Sequence, residues 1–339
     1  MKRLLLLLAG ICLTVGCLHL PAQAADAPTV SAGRGVMMDA DTGELLWERH
    51  PDDPSLIAST TKIMTAFLAC EAGELERPVR IPVEAVGVEG SSLYLREGEV
   101  LSREELLLGT MLQSGNDAAL ALAIDTAGSE EAFVARMNER ARQLGLQNTH
   151  YANPHGLDME GNYSSARDLA LLTARALQNS DFRRVSATRS ALVTGNRALS
   201  NHNKLLWRCP GCIGVKTGYT RAAGRLLVSA AEREGRRLIC VTINDPDDWQ
   251  DHMNLLDWGF EQYERRQLAV CGQRLMTAPG GSGLIARTDL ELLLRPGESP
   301  RLVFLPGLIS DLIPGADAGT VRVCLNGSTV GEIPVCWEN

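Results

Sequence analysis

A mixed α+β fold is predicted for this chain of 339 residues, and three observations carry the prediction. Short apolar runs bounded by turn residues occur near residue 40 and again between residues 214 and 243, while the stretch between them follows helical periodicity. Strands from both ends of one segment imply that early and late pieces meet in a common sheet. Beyond residue 266 the texture changes to short β-like pieces, and 45% hydrophobic content is enough for one large core and a smaller second one.

The elements follow in order. Gly35 to Asp39 and Glu44 to Glu48, separated by Ala40-Asp41-Thr42-Gly43, read as a hairpin with a glycine-containing loop. Leu56 to Glu71 carries apolar residues at 57, 63, 64, 67 and 68, which is helical spacing and puts Ser59 in the first turn. Ser102 with Glu105 is a capping box opening a second helix through Leu106-Leu107-Leu108. Ser114-Gly115-Asn116 should break it, because glycine and asparagine are poor helix interiors. Asp117 to Asp125 is alanine-rich and nearly all apolar, a helix that must be buried. Glu130 to Leu144 is amphipathic and closes on Gly145, and Ser165 with Asp168 starts a helix reaching Leu177. Gly214 to Thr217, Leu226 to Ala231 and Leu238 to Ile243 read as an antiparallel set, followed by a last helix, Trp249 to Gln262. Leu302 to Phe304, Val321 to Cys324 and Glu332 to Val335 belong to a small all-β domain, with breaks at Pro279 to Gly283 and Pro314 to Asp317.

Residues 1–24 have the pattern of a secretory leader: the basic head Met1-Lys2-Arg3, the apolar run Leu4 to Val15 and the small-residue site Ala22-Gln23-Ala24. The mature chain is then expected outside the cytoplasm. Cys17 after Thr14-Val15-Gly16 weakly resembles a lipoprotein box, without the usual leucine three residues before it. A net charge of −8 excludes a general nucleic-acid binder, which needs a basic stripe to neutralise phosphates. Without Cys12 and Cys17, seven of the nine cysteines remain, an odd number that cannot all pair. Cys209-Pro210-Gly211-Cys212 has zinc-knuckle or redox spacing but no second pair to complete a four-ligand set, so a local bridge, free thiols or redox control of the nearby Lys216 stay open.

The chemistry is carried by scarce residues. Of 33 basic residues only four are lysine (Lys2, Lys62, Lys204 and Lys216), leaving 33 − 4 = 29 arginines. Arginine cannot give up its proton in a protein, whereas a desolvated lysine can become a neutral base. Ser59-Thr60-Thr61-Lys62 puts a hydroxyl and such a lysine one turn apart on one face. A Ser-x-x-Lys pair alone is equally well a helix cap with a surface lysine. Ser114-Gly115-Asn116 adds a hydroxyl to relay a proton and an amide to hold a carbonyl. Lys216-Thr217-Gly218 adds a cation, a hydroxyl and a residue without Cβ, so that an extended substrate can lie against the strand.

In this order the three motifs match the set used by serine penicillin-binding enzymes and class A β-lactamases. More specifically, the chain resembles the low-molecular-mass penicillin-binding proteins, serine-type D-alanyl-D-alanine carboxypeptidases of the S11 peptidase family. The resemblance extends to Asn153-Pro154-His155-Gly156-Leu157-Asp158, Asn203-Lys204-Leu205-Leu206, Leu255 to Phe260 and the β-rich tail. It implies a transpeptidase-like domain over residues 25–266, with an antiparallel sheet and helices on both faces, and a small β domain over 267–339. It implies an acyl-enzyme on Ser59, with Lys62 as general base and Ser114 relaying a proton to the leaving D-alanine. Asn116 would hold the substrate backbone, while Lys216 and Thr217 bind the terminal carboxylate beside Gly218. The N–H groups of Ser59 and Tyr219 would form the oxyanion hole. No metal or cofactor is implied; the expected partners are stem peptides ending in D-Ala-D-Ala, with β-lactam antibiotics as covalent inhibitors and peripheral contact with membrane or wall.

Departures qualify the likeness. Some relatives carry a basic residue in the loop after the strand that follows Lys-Thr-Gly; here that loop is Asp245-Pro246-Asp247-Asp248-Trp249. Some also end in an amphipathic membrane helix, a feature with no counterpart expected here. His155 is read as a structural histidine. A β-lactamase would normally show Ser-Asp-Asn, and a non-catalytic wall-binding protein would have no need of a neutral lysine; both are the alternatives.

Overall fold

The computed structural model describes residues 26–278, 281–295, 297–307, 313–325 and 327–338. The expected leader, with Cys17, lies outside the described residues, as do Pro279 and Gly280. Asp26–Gln262 forms one compact unit, and the described residues from Tyr263 onward form another.

In the first unit the hairpin is β1 (Arg34–Asp39) and β2 (Leu45–Arg49), and a 3₁₀ turn at Ala58–Thr61 runs directly into α1 (Lys62–Ala72). A small ribbon of β3 (Pro78–Arg80) and β4 (Val100–Ser102) precedes α2 (Arg103–Leu112). Its capping box forms as the sequence predicts: Ser102 Oγ accepts from Glu105 N at 3.1 Å, and Glu105 Oε2 accepts from Ser102 N at 2.8 Å. After the break come α3 (Asn116–Ala127), α4 (Glu130–Gln143) and α5 (Ala166–Ala176). Next are α6 (Ser180–Ala187), the ribbon β5 (Ser190–Val193) and β6 (Arg197–Ser200), and the single turn α7 (Leu205–Arg208). β7 (Cys212–Thr220), β8 (Gly224–Arg233), β9 (Arg236–Ile243) and α8 (Asp248–Gln262) complete the unit.

The strands from the two ends of the unit join as predicted, in one antiparallel sheet of order β2-β1-β9-β8-β7, with β7 at its edge. Alternation along the strands divides its two faces. Val36, Met38, Ile239, Val241 and Ile243 enter the large core shared with α1, α3 and α5. On the opposite face Met37 and Leu238 meet Gly259 of α8, where a Cβ would lie 2.6 Å from Met37 Cε. Helices therefore cover both faces, and Lys216-Thr217-Gly218 lies on β7, one of the two edge strands, beside the 3₁₀ turn that holds Ser59.

α6 and the two small ribbons are not foreseen by periodicity. Each holds only one to three core residues, too few to repeat; Phe182 of α6 is fixed from outside, edge-on to Phe67 of α1 with ring centroids 6.4 Å apart.

The second unit is all β among its described residues: β10 (Glu264–Ala269), β11 (Arg274–Thr277), β12 (Gly283–Ala286), β13 (Leu290–Leu294), β14 (Arg301–Pro306), β15 (Asp317–Leu325) and β16 (Ser328–Trp337). Five of them form a sheet of order β11-β12-β16-β15-β14, around Leu284, Val321, Val323, Ile333 and Val335. Arg265 and Arg266, placed at the end of the first domain by the sequence, lie in β10 of this second unit.

Candidate active site

Ser59 is set by local geometry. It stands in the 3₁₀ turn rather than in the first turn of α1, and a 3₁₀ repeat of three residues places i and i+3 in line. Lys62 Nζ lies 3.1 Å from Ser59 Oγ. Ala58, just before Ser59, has φ 45°, a conformation costly for a residue with a Cβ. Gly156 is what allows the close approach that holds this bend: a Cβ there would come 1.9 Å from Ala58 O.

Lys62 is fully buried, and among the described residues its hydrogen bonds go to a hydroxyl, an amide oxygen and a carbonyl rather than to a carboxylate. Its Nζ donates to Asn116 Oδ1 at 2.6 Å and to His155 O at 2.5 Å, besides the contact with Ser59. Burial first, and then the charge of Lys216, hold its pKa well below the ordinary lysine value; Asp117 opposes them. A neutral amine has two N–H donors and one lone pair. Asn116 and the His155 carbonyl take the two donors, and the lone pair is left facing the Ser59 hydroxyl.

The break between α2 and α3 supplies the second motif, as the sequence predicts. Ser114 has φ 59° and is nearly buried. Gly115 packs closely, since a Cβ would lie 2.5 Å from Leu93 Cδ1 and the Leu93 side chain would have to move. Asn116 caps this arrangement, its Nδ2 donating to Glu89 O at 2.5 Å. Both ends of its amide are thus engaged by protein groups, which makes orientation of Lys62 its visible contribution.

β7 brings the third motif alongside. Lys216 Nζ donates to Ser114 Oγ at 3.1 Å and to Thr217 O at 2.9 Å, and burial pulls its pKa down to about 7. A Cβ on Gly218 would lie 3.3 Å from both Ser59 N and Ile57 O, so the strand backbone passes directly over the amide of Ser59. Tyr219 follows with its side chain 67% exposed. Ser59, Ser114, Thr217, Gly218 and Tyr219 line one cleft of about 350 Å³.

Three residues of the site escape the sequence reading. Asp117, 1% exposed, accepts from Leu93 N at 2.9 Å, Leu95 N at 3.1 Å and Ser92 Oγ at 2.7 Å, fixing the loop that borders the cleft. His155 acts through its backbone carbonyl, which residue identity cannot reveal; its imidazole, pushed down to about 4 by burial and by Lys62, is neutral near pH 7. Lys204 lines the cleft, and its type was the available signal: Lys62, Lys204 and Lys216 are all the lysines of the described residues, and all three are at this site. By contrast, Cys209 and Cys212 are free thiols at the entry to β7, linked by a Cys212 N–H donation to Cys209 O at 3.2 Å. Burial raises both thiols, Cys212 to about 12, and neither lines the cleft.

Comparison with known proteins gives matches over most of the chain. Residues 21–247 match the sequence profile of a family described as D-alanyl-D-alanine carboxypeptidase. The chain is 32% identical to the D-alanyl-D-alanine carboxypeptidase DacF of Bacillus subtilis, over 90% of this chain and 84% of that one. It is 33% identical to DacC of Escherichia coli, also a D-alanyl-D-alanine carboxypeptidase, over 94% of this chain and 86% of that one. The crystal structure of DacD from Francisella tularensis superposes with a TM-score of 0.81 at 25% identity, covering 94% of this chain and 95% of that chain.

Proposed function

The chain belongs to the D-alanyl-D-alanine carboxypeptidase family, and we propose that Ser59 is the nucleophile of its reaction on peptidoglycan stem peptides. The activity is that of a serine-type hydrolase removing the terminal D-alanine through an acyl-enzyme. The family implies substrates ending in D-Ala-D-Ala and covalent binding of β-lactams.

The observation that carries the residue assignment is the neutral-lysine environment of Lys62: complete burial, a cationic neighbour, two accepting oxygens and the Ser59 hydroxyl at 3.1 Å. Lys62 takes the proton as Ser59 Oγ bonds to the carbonyl carbon of the penultimate D-alanine. The backbone N–H groups of Ser59 and Tyr219 receive the developing oxyanion. Ser114, which accepts from Lys216, gives its proton to the departing D-alanine nitrogen as the C–N bond breaks and takes in its place the proton that Lys62 received from Ser59, so that Lys62 is neutral again. Lys216 and Thr217 hold the terminal carboxylate against the edge of β7, with Gly218 keeping the strand clear. Asn116 orients Lys62 and can turn toward the substrate backbone once a peptide displaces its present partners. Water then attacks the ester, with Lys62 again as the base, and frees Ser59.

The β-lactamase alternative lacks its usual Ser-Asp-Asn, because residue 115 is a glycine. We place the activity outside the cytoplasm, where the wall is built, with the second unit as the candidate contact to membrane or wall.

Fluorescent penicillin tests the assignment together with D-alanine release from stem peptides. Wild type should carry a stable covalent label and Ser59→Ala none. Rapid loss of the label would favour the β-lactamase, and label persisting in Ser59→Ala would remove Ser59 as the nucleophile.

A further inference from the structure

The cleft extends past Ser59 to a rim that the motifs do not include: His202, Lys204, Arg225, Asp248 and Trp249. Its charge is arranged with a purpose that composition makes visible. In a chain that uses arginine for 29 of 33 basic positions, the remaining described lysine outside the catalytic motifs is Lys204.

The rim is built rather than loose. His202 N donates to Leu112 O at 3.1 Å, tying the segment before α7 to the end of α2 and hence to the Ser114 break. Asn201 Oδ1 accepts from Asn203 N at 2.9 Å, and Asn203 Oδ1 from Leu205 N at 3.1 Å, so the backbone on both sides of Lys204 is held. Trp249 lies under two cations, with Lys204 Nζ 6.0 Å and Arg225 Cζ 5.8 Å from its ring centroid. Arg225 is opposite Tyr219 in the β7–β8 register, and therefore on the same sheet face as Thr217. Its guanidinium is committed to Asp248, at 2.7 and 2.9 Å, so that pair contributes little net charge. His202 is turned toward its neutral form by burial and by Lys216. Lys204 is then the exposed cation whose charge the rim does not neutralise, lining the same cleft as Thr217.

We propose that Lys204 is a specificity-determining residue, steering and holding the free carboxylate of the substrate's last residue, with Trp249 and the Arg225–Asp248 pair fixing its position. This rests on the carboxypeptidase reading of the same cleft. An enzyme that removes only a terminal residue needs a group that distinguishes a free chain end from a continuing peptide, and a flexible ammonium at the cleft rim does so without touching the reacting atoms.

The experiment compares hydrolysis of two synthetic peptides ending in D-Ala-D-Ala, one with a free C-terminal carboxylate and one with a C-terminal amide. Penicillin acylation is measured alongside, using wild type, Lys204→Ala and Lys204→Arg. In Lys204→Ala, kcat/KM for the acid should fall about fivefold to tenfold, mainly through KM, the range of a charge-assisted contact at a partly exposed site. The amide should be unaffected, and Lys204→Arg should recover most of the loss. Molar salt should shrink the difference between wild type and Lys204→Ala. Unchanged kcat/KM for the acid in Lys204→Ala, or acid and amide falling by one common factor, would overturn the proposal. Failure of wild type to be acylated by penicillin or to cleave the acid would instead overturn the underlying carboxypeptidase reading.

Discussion

The cleft around Ser59 and the cluster beneath α8 both bury titratable side chains, in one unit and against one sheet, but they treat charge in opposite ways. At the cleft Lys62 and Lys216 are enclosed with hydroxyls, an amide oxygen and backbone carbonyls, and no acidic oxygen bonds to either. Beneath α8, His252 sits fully buried between Ser229 Oγ at 2.6 Å and Thr242 Oγ1 at 2.8 Å, and burial pushes it down to about 3. Near it Ser31 joins Asp245 and Asp251. The residues of that second cluster bond one another, although Asp245 Oδ2 is buried without a partner, and none of them lines the cleft. Burial shifts protonation in both places, so a shifted group is a functional signal only where it also faces space a substrate can enter.

The largest effect expected from this contrast lies at Lys62. Lys62→Arg keeps the length and the positive charge but not the ability to become neutral, so penicillin acylation should fall on the order of a thousandfold, the scale of a lost general base. Near-normal labelling of this variant, measured as a rate on folded protein, would mean that the charge and not the neutral amine matters. The cleft would then resemble the α8 cluster more than the comparison allows.

His252→Ala sharpens the same contrast from the other side. It removes a buried ring and leaves the Ser229 and Thr242 hydroxyls without that partner, so unfolding free energy should drop by about 2–4 kcal/mol. Acylation of the protein that remains folded should stay within about twofold of wild type, since His252 bonds only β8 and β9. Urea titration and labelling of the same samples separate the two readouts. A loss of acylation beyond the loss of folded protein would make α8 part of the machinery.

How much of this was legible follows from distance along the chain. Ser59 and Lys62 are three apart, so their meeting is a local property of a helical turn, and the Ser114-Gly115-Asn116 break is likewise local. The joining of β1 to β9 was legible as a strand-helix-strand order. What the sequence does not reveal is long-range or backbone-borne. The carbonyl that fixes Lys62 belongs to His155, 93 residues away, and Asp117 reaches back to the Ser92 hydroxyl and the main-chain N–H groups of Leu93 and Leu95. Lys204 likewise reaches the cleft from a loop other than 245–249. α6 and the small ribbons are held by tertiary packing that outweighs their own weak patterns.

The smallest effect concerns Asp245, where the closed cluster shares too few protons among its oxygens. Ser31 Oγ has one proton, yet lies 2.7 Å from Asp245 Oδ1 and 2.8 Å from Asp251 Oδ2. Burial, with Asp251 nearby, raises Asp245 to about 6. The folded state therefore holds a carboxyl proton more tightly than the unfolded chain, whose aspartates titrate near 3.9. That contribution to stability is complete below the unfolded value and is lost as pH rises through about 6, the reverse of a salt-bridged carboxylate. Asp245→Asn carries no charge at any pH, so its melting temperature relative to wild type should be more favourable at pH 7 than at pH 4, by about 2–4 °C. An equal difference at both pH values would mean that Asp245 is ionised in the folded protein, and that the cluster under α8 tolerates two buried negative charges where the cleft tolerates two lysines only by letting one go neutral.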